Sequence, residues 1–144
     1  MREDTTVQVL QCQVVVAGAA RGRVLFSTEP ISFWGGYDYH TGEIIDRRHP
    51  LSGEIASGCI LCLPAARGSS TTTAVLLEAV KAGTAPAAIV TTGVDTFFAL
   101  ASIVADELYS LPIPLMALLP GDFMLVRAGA TAELSADGRI AIYR

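Results

Sequence analysis

Cys59-Ile60-Leu61-Cys62-Leu63-Pro64, then Thr71-Thr72-Thr73-Ala74-Val75-Leu76-Leu77-Glu78-Ala79-Val80-Lys81-Ala82-Gly83, then Ala87-Ala88-Ile89-Val90-Thr91 decide the fold. The first is a continuous apolar run stopped by a proline, the mark of a strand buried on both faces. The second carries helix start and stop signals: serine ahead of it, Lys81 near its end, Gly83 after it and Pro86 beyond. The third is another buried strand. Further on, Asp95 can cap a second helix, in which Phe97, Leu100, Val104 and Leu108 fall on one face. Pro112 closes that helix, and Leu115-Met116-Ala117-Leu118-Leu119 reads as a third buried strand. The middle of the chain therefore reads β-α-β-α-β, with parallel strands and crossover helices.

The flanks read as strands joined by turns. Residues 7–16 alternate as one strand ending at Ala17-Gly18-Ala19-Ala20. Arg23-Val24-Leu25-Phe26 and Glu43-Ile44-Ile45-Asp46 are short strands, and the glycine-rich stretch from Ile31 to Gly42 between them is a shaped loop. Gly121-Asp122 leads into a strand Phe123-Met124-Leu125-Val126. Asp137-Gly138, between Ala132-Glu133-Leu134-Ser135 and Arg139-Ile140-Ala141-Ile142-Tyr143, is a hairpin signal. At 144 residues the chain is one domain, residues 1–144.

Composition narrows the function. Apolar residues make up 51% and charged ones only 17%, which excludes disorder. A net charge of −4 with no Lys/Arg cluster argues against nucleic acid, whose binding needs grouped cations. The most apolar stretch, Leu111 to Pro120, is too short for the roughly 18–20 residues of a membrane span. A polar N-terminus without a signal-peptide core, and three cysteines, lead us to expect a cytoplasmic protein with free thiols. So little charge also leads us to expect that part of the surface is buried against another chain.

Arg67-Gly68-Ser69-Ser70 is the strongest candidate site. It lies between a buried strand and a helix, where α/β sheets open onto ligand crevices. A helix N-terminus offers unpaired N–H groups and partial positive charge. Gly68 lets an anion approach the backbone, and Arg67 can hold a carboxylate by two parallel hydrogen bonds. The plainer reading makes Ser69 or Ser70 a helix cap only. The segment lacks the glycine spacing and lysine of a P-loop, and it is not a G-x-S-x-G elbow.

Other candidates carry less. Cys59 and Cys62 have metal-ligand spacing, but i and i+3 on a strand point to opposite faces. A zinc site needs four ligands; the only other cysteine is Cys12, and His40 and His49 lie in other segments. We therefore expect no metal on this chain and read the thiols as core. His49 reads as a surface or hydrogen-bonding turn residue, with a general base or a phosphorylated histidine as the alternatives. His40, beside Asp38 and Tyr39, is a second such candidate. Glu43, Asp46 and Glu54 form no evident catalytic pair. Phe33 and Trp34 read as packing or partner contacts.

Four ordered motifs together resemble the aconitase X swivel domain, or small subunit: Pro30-Ile31-Ser32-Phe33-Trp34-Gly35-Gly36-Tyr37-Asp38, Thr41-Gly42-Glu43-Ile44-Ile45-Asp46, His49-Pro50-Leu51-Ser52-Gly53 and Arg67-Gly68-Ser69-Ser70. The resemblance implies an α/β fold, a swivelling β/β/α domain with barrel-like strands beside the parallel β-α-β-α-β layer. It implies a large-subunit partner with the active site between the two. Family members dehydrate cis-3-hydroxy-L-proline or, in archaea, phosphomevalonate. The Phe33-Trp34 pair and the run from Ser69 to Glu78 look more like the hydroxyproline type.

By the same resemblance Ser69 is the catalytic base, with Arg67, Gly68 and Ser70 assigned to substrate binding. A departing hydroxyl needs a Lewis acid. This chain holds no ligand set for one, so an iron or iron–sulfur centre is expected on the large subunit. The expected function is a hydro-lyase small subunit acting on cis-3-hydroxy-L-proline. The alternatives are a phosphomevalonate dehydratase small subunit and a non-catalytic anion-binding or assembly module.

Overall fold

The computed structural model describes residues 6–67 and 71–143. In chain order the elements are β1 (Thr6–Gln11), β2 (Gln13–Val16), β3 (Ala20–Phe26), β4 (Tyr37–Asp38), β5 (Glu43–Ile44), β6 (Ile60–Cys62), α1 (Thr71–Ala82), β7 (Ala88–Thr91), α2 (Thr96–Tyr109), β8 (Leu115–Ala117), α3 (Pro120–Phe123), β9 (Thr131–Leu134) and β10 (Arg139–Tyr143). Strands β3, β6, β7 and β8 are parallel neighbours, as the β-α-β-α-β reading requires.

The stretch read as one strand over residues 7–16 is two strands, broken at Cys12. Here β1 pairs antiparallel with β10 and β2 pairs antiparallel with β8. The sheet order is β1-β10-β9-β3-β6-β7-β8-β2, so its two edges are successive pieces of one segment and the sheet nearly closes into a barrel. The break is held by the Cys12 N–H, which donates to the Gly138 carbonyl at 2.7 Å. Gly138 has a φ of +96°, and a Cβ there would lie 2.8 Å from the Cys12 oxygen. The Asp137-Gly138 turn thus makes the β9–β10 hairpin and lets the first segment change partners, a contact no local pattern announces.

Strand periodicity divides the interior in two. Ile60 and Cys62 on β6, Ala88 and Val90 on β7, and Met116 on β8 face the barrel interior with Phe123, Leu134 and Ile142. Leu61, Leu63, Ile89 and Leu115 face the other way, toward α1 and α2. Side chains alternate across a strand, and with both faces covered every position on β6, β7 and β8 except Thr91 is apolar. Helix α1 runs to Ala82 as expected. Gly83, at φ +78°, ends it in the left-handed conformation that glycine adopts without strain.

Three expectations are corrected. Helix α2 buries Phe98, Ala101, Ser102 and Ala105, not the stripe Phe97, Leu100, Val104 and Leu108; Leu100 and Leu108 are exposed. The helix is apolar nearly all round, so its period does not pick the face. The close approach of α1 favours alanines, and the Ser102 hydroxyl is satisfied by Ile113, donating to its oxygen at 2.6 Å and accepting its N–H at 2.8 Å. The expected strand over Phe123–Val126 is instead a helical turn, α3 and its C-cap Met124. Pro120 at its first turn is preset for a helix, and Phe123 and Val126 are buried three residues apart. The third buried strand ends at Ala117, and Leu119 is exposed.

Cys12 and Cys62 both lie in the barrel interior, whereas Cys59 packs on the helix side. Burial pushes the Cys62 thiol up to about 12, with the Cys12 sulfur adding to it. Burial, then the Asp122 charge, pushes Cys12 to about 12 as well. Unfolded thiols ionise near 9.0, so between about 9 and 12 the unfolded chain binds fewer protons than the folded one. The stability these two thiols contribute is therefore complete below pH 9 and falls as the pH rises from there. A denaturant midpoint that does not fall across that window would contradict the buried placement of the two sulfurs. At pH 8 a thiol reagent should modify Cys12 and Cys62 only as fast as the protein unfolds.

Candidate active site

The C-terminal ends of the parallel strands converge on one rim. After β3 the chain stays beside β6, because the Ser27 N–H donates to the Cys62 carbonyl at 3.1 Å. The Ser27 hydroxyl accepts the Glu29 N–H at 3.0 Å, turning the chain toward Pro30. Ile31 then forms a parallel bridge with Ala66, and the Arg67 N–H donates to the Ile31 carbonyl at 3.0 Å. On the other side Thr92, just past β7, reaches Pro64 through its N–H at 3.3 Å and its hydroxyl at 3.2 Å. Asp95 accepts the Ala66 N–H at 2.7 Å. The segment leading into the candidate motif is thus anchored from both sides.

Arg67 is exposed and lines a cleft of about 320 Å³ with Glu29, Pro30, Asp46, Arg48 and His49. Among the described residues, neither the Arg67 nor the Arg48 guanidinium is engaged in an ion pair. Gly68, Ser69 and Ser70 lie outside the described residues; the described chain resumes at Thr71, the first residue of α1.

His49 is buried, and both ring nitrogens are engaged. Nδ1 accepts the Leu51 N–H at 3.1 Å, so the proton sits on Nε2, which donates to the Glu29 carbonyl at 3.0 Å. A ring whose lone pair already accepts a backbone N–H is not free to take a substrate proton. His49 is a strut that ties the Asp46–Leu51 turn to the segment after β3. His40 is exposed; its N–H donates to Asp38 Oδ1 at 2.9 Å and its ring packs on Tyr39. Glu54 pairs with Arg23 at 3.2 Å.

The glycine-rich loop splits its two aromatic neighbours. Phe33 is fully buried against Tyr37 and Phe98, and Trp34 is 72% exposed. Tyr37 donates its hydroxyl to the Thr84 carbonyl at 2.7 Å, fixing the β4–β5 hairpin to the end of α1. Gly36 is required at the base of this loop, because a Cβ there would collide with the Ser32 carbonyl.

Sequence reasoning did not single out Arg48 or the second role of Asp95. Arg48 shares the cleft with Arg67 only through the packing of two distant segments. Among the described residues no three His, Cys, Asp or Glu side chains converge as metal ligands. Cys59 and Cys62 point to opposite cores, so an iron centre does not fit the described residues of this chain. No helix among the described residues is long and apolar enough to cross a membrane.

Comparison with known proteins agrees with this architecture. The chain is 44% identical over 132 residues, 92% of its length, to a cis-3-hydroxy-L-proline dehydratase of Pseudomonas aeruginosa, and spans 22% of that protein. It spans 18% of a dehydratase of the same name from Hypocrea jecorina, at 39% identity. It is 42% identical over 96 residues to the phosphomevalonate dehydratase small subunit of Methanothermobacter thermautotrophicus, 67% of this chain and 73% of that one. In structure it matches Thermococcus kodakaraensis aconitase X with a TM-score of 0.83 at 30% identity, covering 95% of this chain and 99% of that one. Residues 9–142 match the aconitase X swivel domain, and the chain belongs to that family.

Proposed function

We propose that this chain is the small subunit of a heteromeric hydro-lyase that dehydrates cis-3-hydroxy-L-proline to a pyrroline-2-carboxylate. The observation that carries the reading is the 44% identity to the Pseudomonas aeruginosa dehydratase across 92% of this chain. The chain spans about a fifth of that relative, and in this reading a large subunit supplies the rest of the enzyme.

In this reading Arg67 holds the substrate carboxylate by parallel hydrogen bonds, with Gly68 and Ser70 binding alongside. Ser69 accepts the α-proton as the hydroxyl on the neighbouring carbon departs. A free serine is far too weak a base at neutral pH. The N-terminus of α1, the Arg67 cation and exclusion of water by the partner favour its ionised form. The iron or iron–sulfur centre is assigned to the large subunit, because the described residues here do not fit one.

The rim supports docking of that partner. Trp34 after β3, Val94 after β7 and Leu119 after β8 are all exposed apolar side chains at the strand ends that carry Arg67. Trp34→Ala should leave the melting temperature of this chain nearly unchanged and weaken its association with the large subunit at least tenfold. Titration of labelled small subunit into large subunit checks this, and unchanged affinity would remove Trp34 from the interface.

A second reading, phosphomevalonate dehydratase small subunit, is favoured by one observation: the chain matches those small subunits along most of their own length, 73% and 93% in two of them. Purified together with its large subunit, the chain should dehydrate cis-3-hydroxy-L-proline and neither chain should do so alone. Turnover of phosphomevalonate in place of the amino acid would select the second reading. Arg67→Gln should raise KM for the carboxylate substrate at least tenfold, and an unchanged KM would place the carboxylate elsewhere.

A further inference from the structure

We infer that Asp95 is a positioning residue for the site, acting as a clamp between α2 and the Ala66–Arg67 segment as well as a helix cap; its effect on turnover rests on the function proposed above. One carboxylate oxygen, Oδ1, accepts the N–H groups of Phe97 and Phe98, both at 3.0 Å. This is the ordinary work of an N-cap, and serine, threonine or asparagine does it about as well. The other oxygen, Oδ2, accepts the Ala66 N–H at 2.7 Å, from a residue 29 positions earlier in the chain.

The two jobs together demand a carboxylate. Its two oxygens accept on opposite sides with no donor between them. An asparagine has one accepting oxygen; turned toward the two helix N–H groups it satisfies both, and its NH2 then faces the Ala66 N–H, a donor facing a donor. A serine has one oxygen and serves the helix alone.

The clamp acts where the site begins. Ala66 is bridged to Ile31 on its other side, and the next N–H, that of Arg67, donates to the Ile31 carbonyl at 3.0 Å. Asp95 thus fixes the peptide from which the Arg67 side chain reaches the cleft. It registers that peptide to α2, whose Phe98 packs edge-on against Phe33 of the loop that carries Trp34. Small misplacements of a binding group cost turnover steeply, about 10²-fold for 1 Å.

Asp95→Asn and Asp95→Ser, which keep the cap and lose the clamp, test this on two independent readouts. In the isolated chain the Ala66 amide should exchange with solvent at least tenfold faster in both variants, with the Phe97 and Phe98 amides still protected in Asp95→Ser. In the complex with the large subunit both variants should lower kcat/KM for cis-3-hydroxy-L-proline about tenfold or more, at an unchanged melting temperature. Asp95→Ala, which loses cap and clamp, should in addition melt earlier. Wild-type exchange at Ala66 in either variant, or faster exchange with full kcat/KM, overturns the inference. A wild-type complex that leaves the amino acid untouched refutes the proposed function instead, and the exchange measurement still decides the clamp.

Discussion

Ser69→Ala, made in the complex of this chain with the proposed large subunit, is expected to lower kcat by about 10²- to 10⁴-fold, the usual worth of a positioned proton acceptor. Binding should change little, because the proposed carboxylate contact belongs to Arg67. The expectation follows from placement. Ser69 stands two residues after Arg67, whose backbone is tied to Ile31, and two residues before Thr71, where α1 begins. In the proposed reading its hydroxyl works near the Arg67 cation and the N-terminus of α1, and positive potential there would favour its ionised form. The competing outcome is specific. If Ser69 only caps α1, the substitution costs about 1 kcal/mol of stability and leaves turnover intact. Measuring kcat and the melting curve on the same preparation separates the two, and full activity would end the role of Ser69 as the base.

Phe33→Ala should have the largest effect on stability. Phe33 is fully buried, with ring centroids 5.1 Å from Tyr37 and 5.6 Å from Phe98. Truncating a buried phenylalanine costs about 3–5 kcal/mol, which in a domain of this size lowers Tm by roughly 10 °C. The damage should not stay local. Phe33 joins the loop after β3 to α2, and Tyr37 beside it joins the β4–β5 hairpin to the end of α1. Their loosening frees the Asp46–His49 turn that walls the cleft. Thermal denaturation checks the first effect, and a raised KM in the assembled enzyme checks the second. A Tm within 2 °C of wild type would mean that the loop is held by something other than this aromatic cluster. The adjacent Trp34→Ala is the control, since that side chain is largely in solvent.

The parallel β-α-β-α-β layer, the end of α1 at Gly83, the Asp95 cap and the β9–β10 hairpin were all legible in the sequence. Each is written in contiguous residues: an apolar run closed by Pro64, a glycine after a lysine, an aspartate ahead of an apolar helix, an Asp-Gly pair between two strands. The face of α2 was not legible, because a helix that is apolar nearly all round has no preferred side until α1 and the Ser102–Ile113 hydrogen bonds choose one. The helical turn at Phe123 was misread because four apolar residues fit a strand or a buried turn equally well. The motif Arg67-Gly68-Ser69-Ser70 is proposed as the site from its strand–helix setting, and Arg67 lines the cleft. Its neighbours Arg48 and His49 came only with the tertiary fold.

By itself, then, the sequence determined the local elements of this protein and singled out the segment proposed to carry its chemistry, since backbone preference and burial period act over a few residues at a time. The tertiary structure alone decided that residues 6–16 split at Cys12 to close the barrel, that His49 is spent as a strut, that Arg48 faces the same cleft as Arg67, and that Asp95 serves two elements at once. The physical reason is common to all four. Each depends on a hydrogen bond or a packing contact between segments tens of residues apart, and the geometry of such a contact exists only after the layers have assembled.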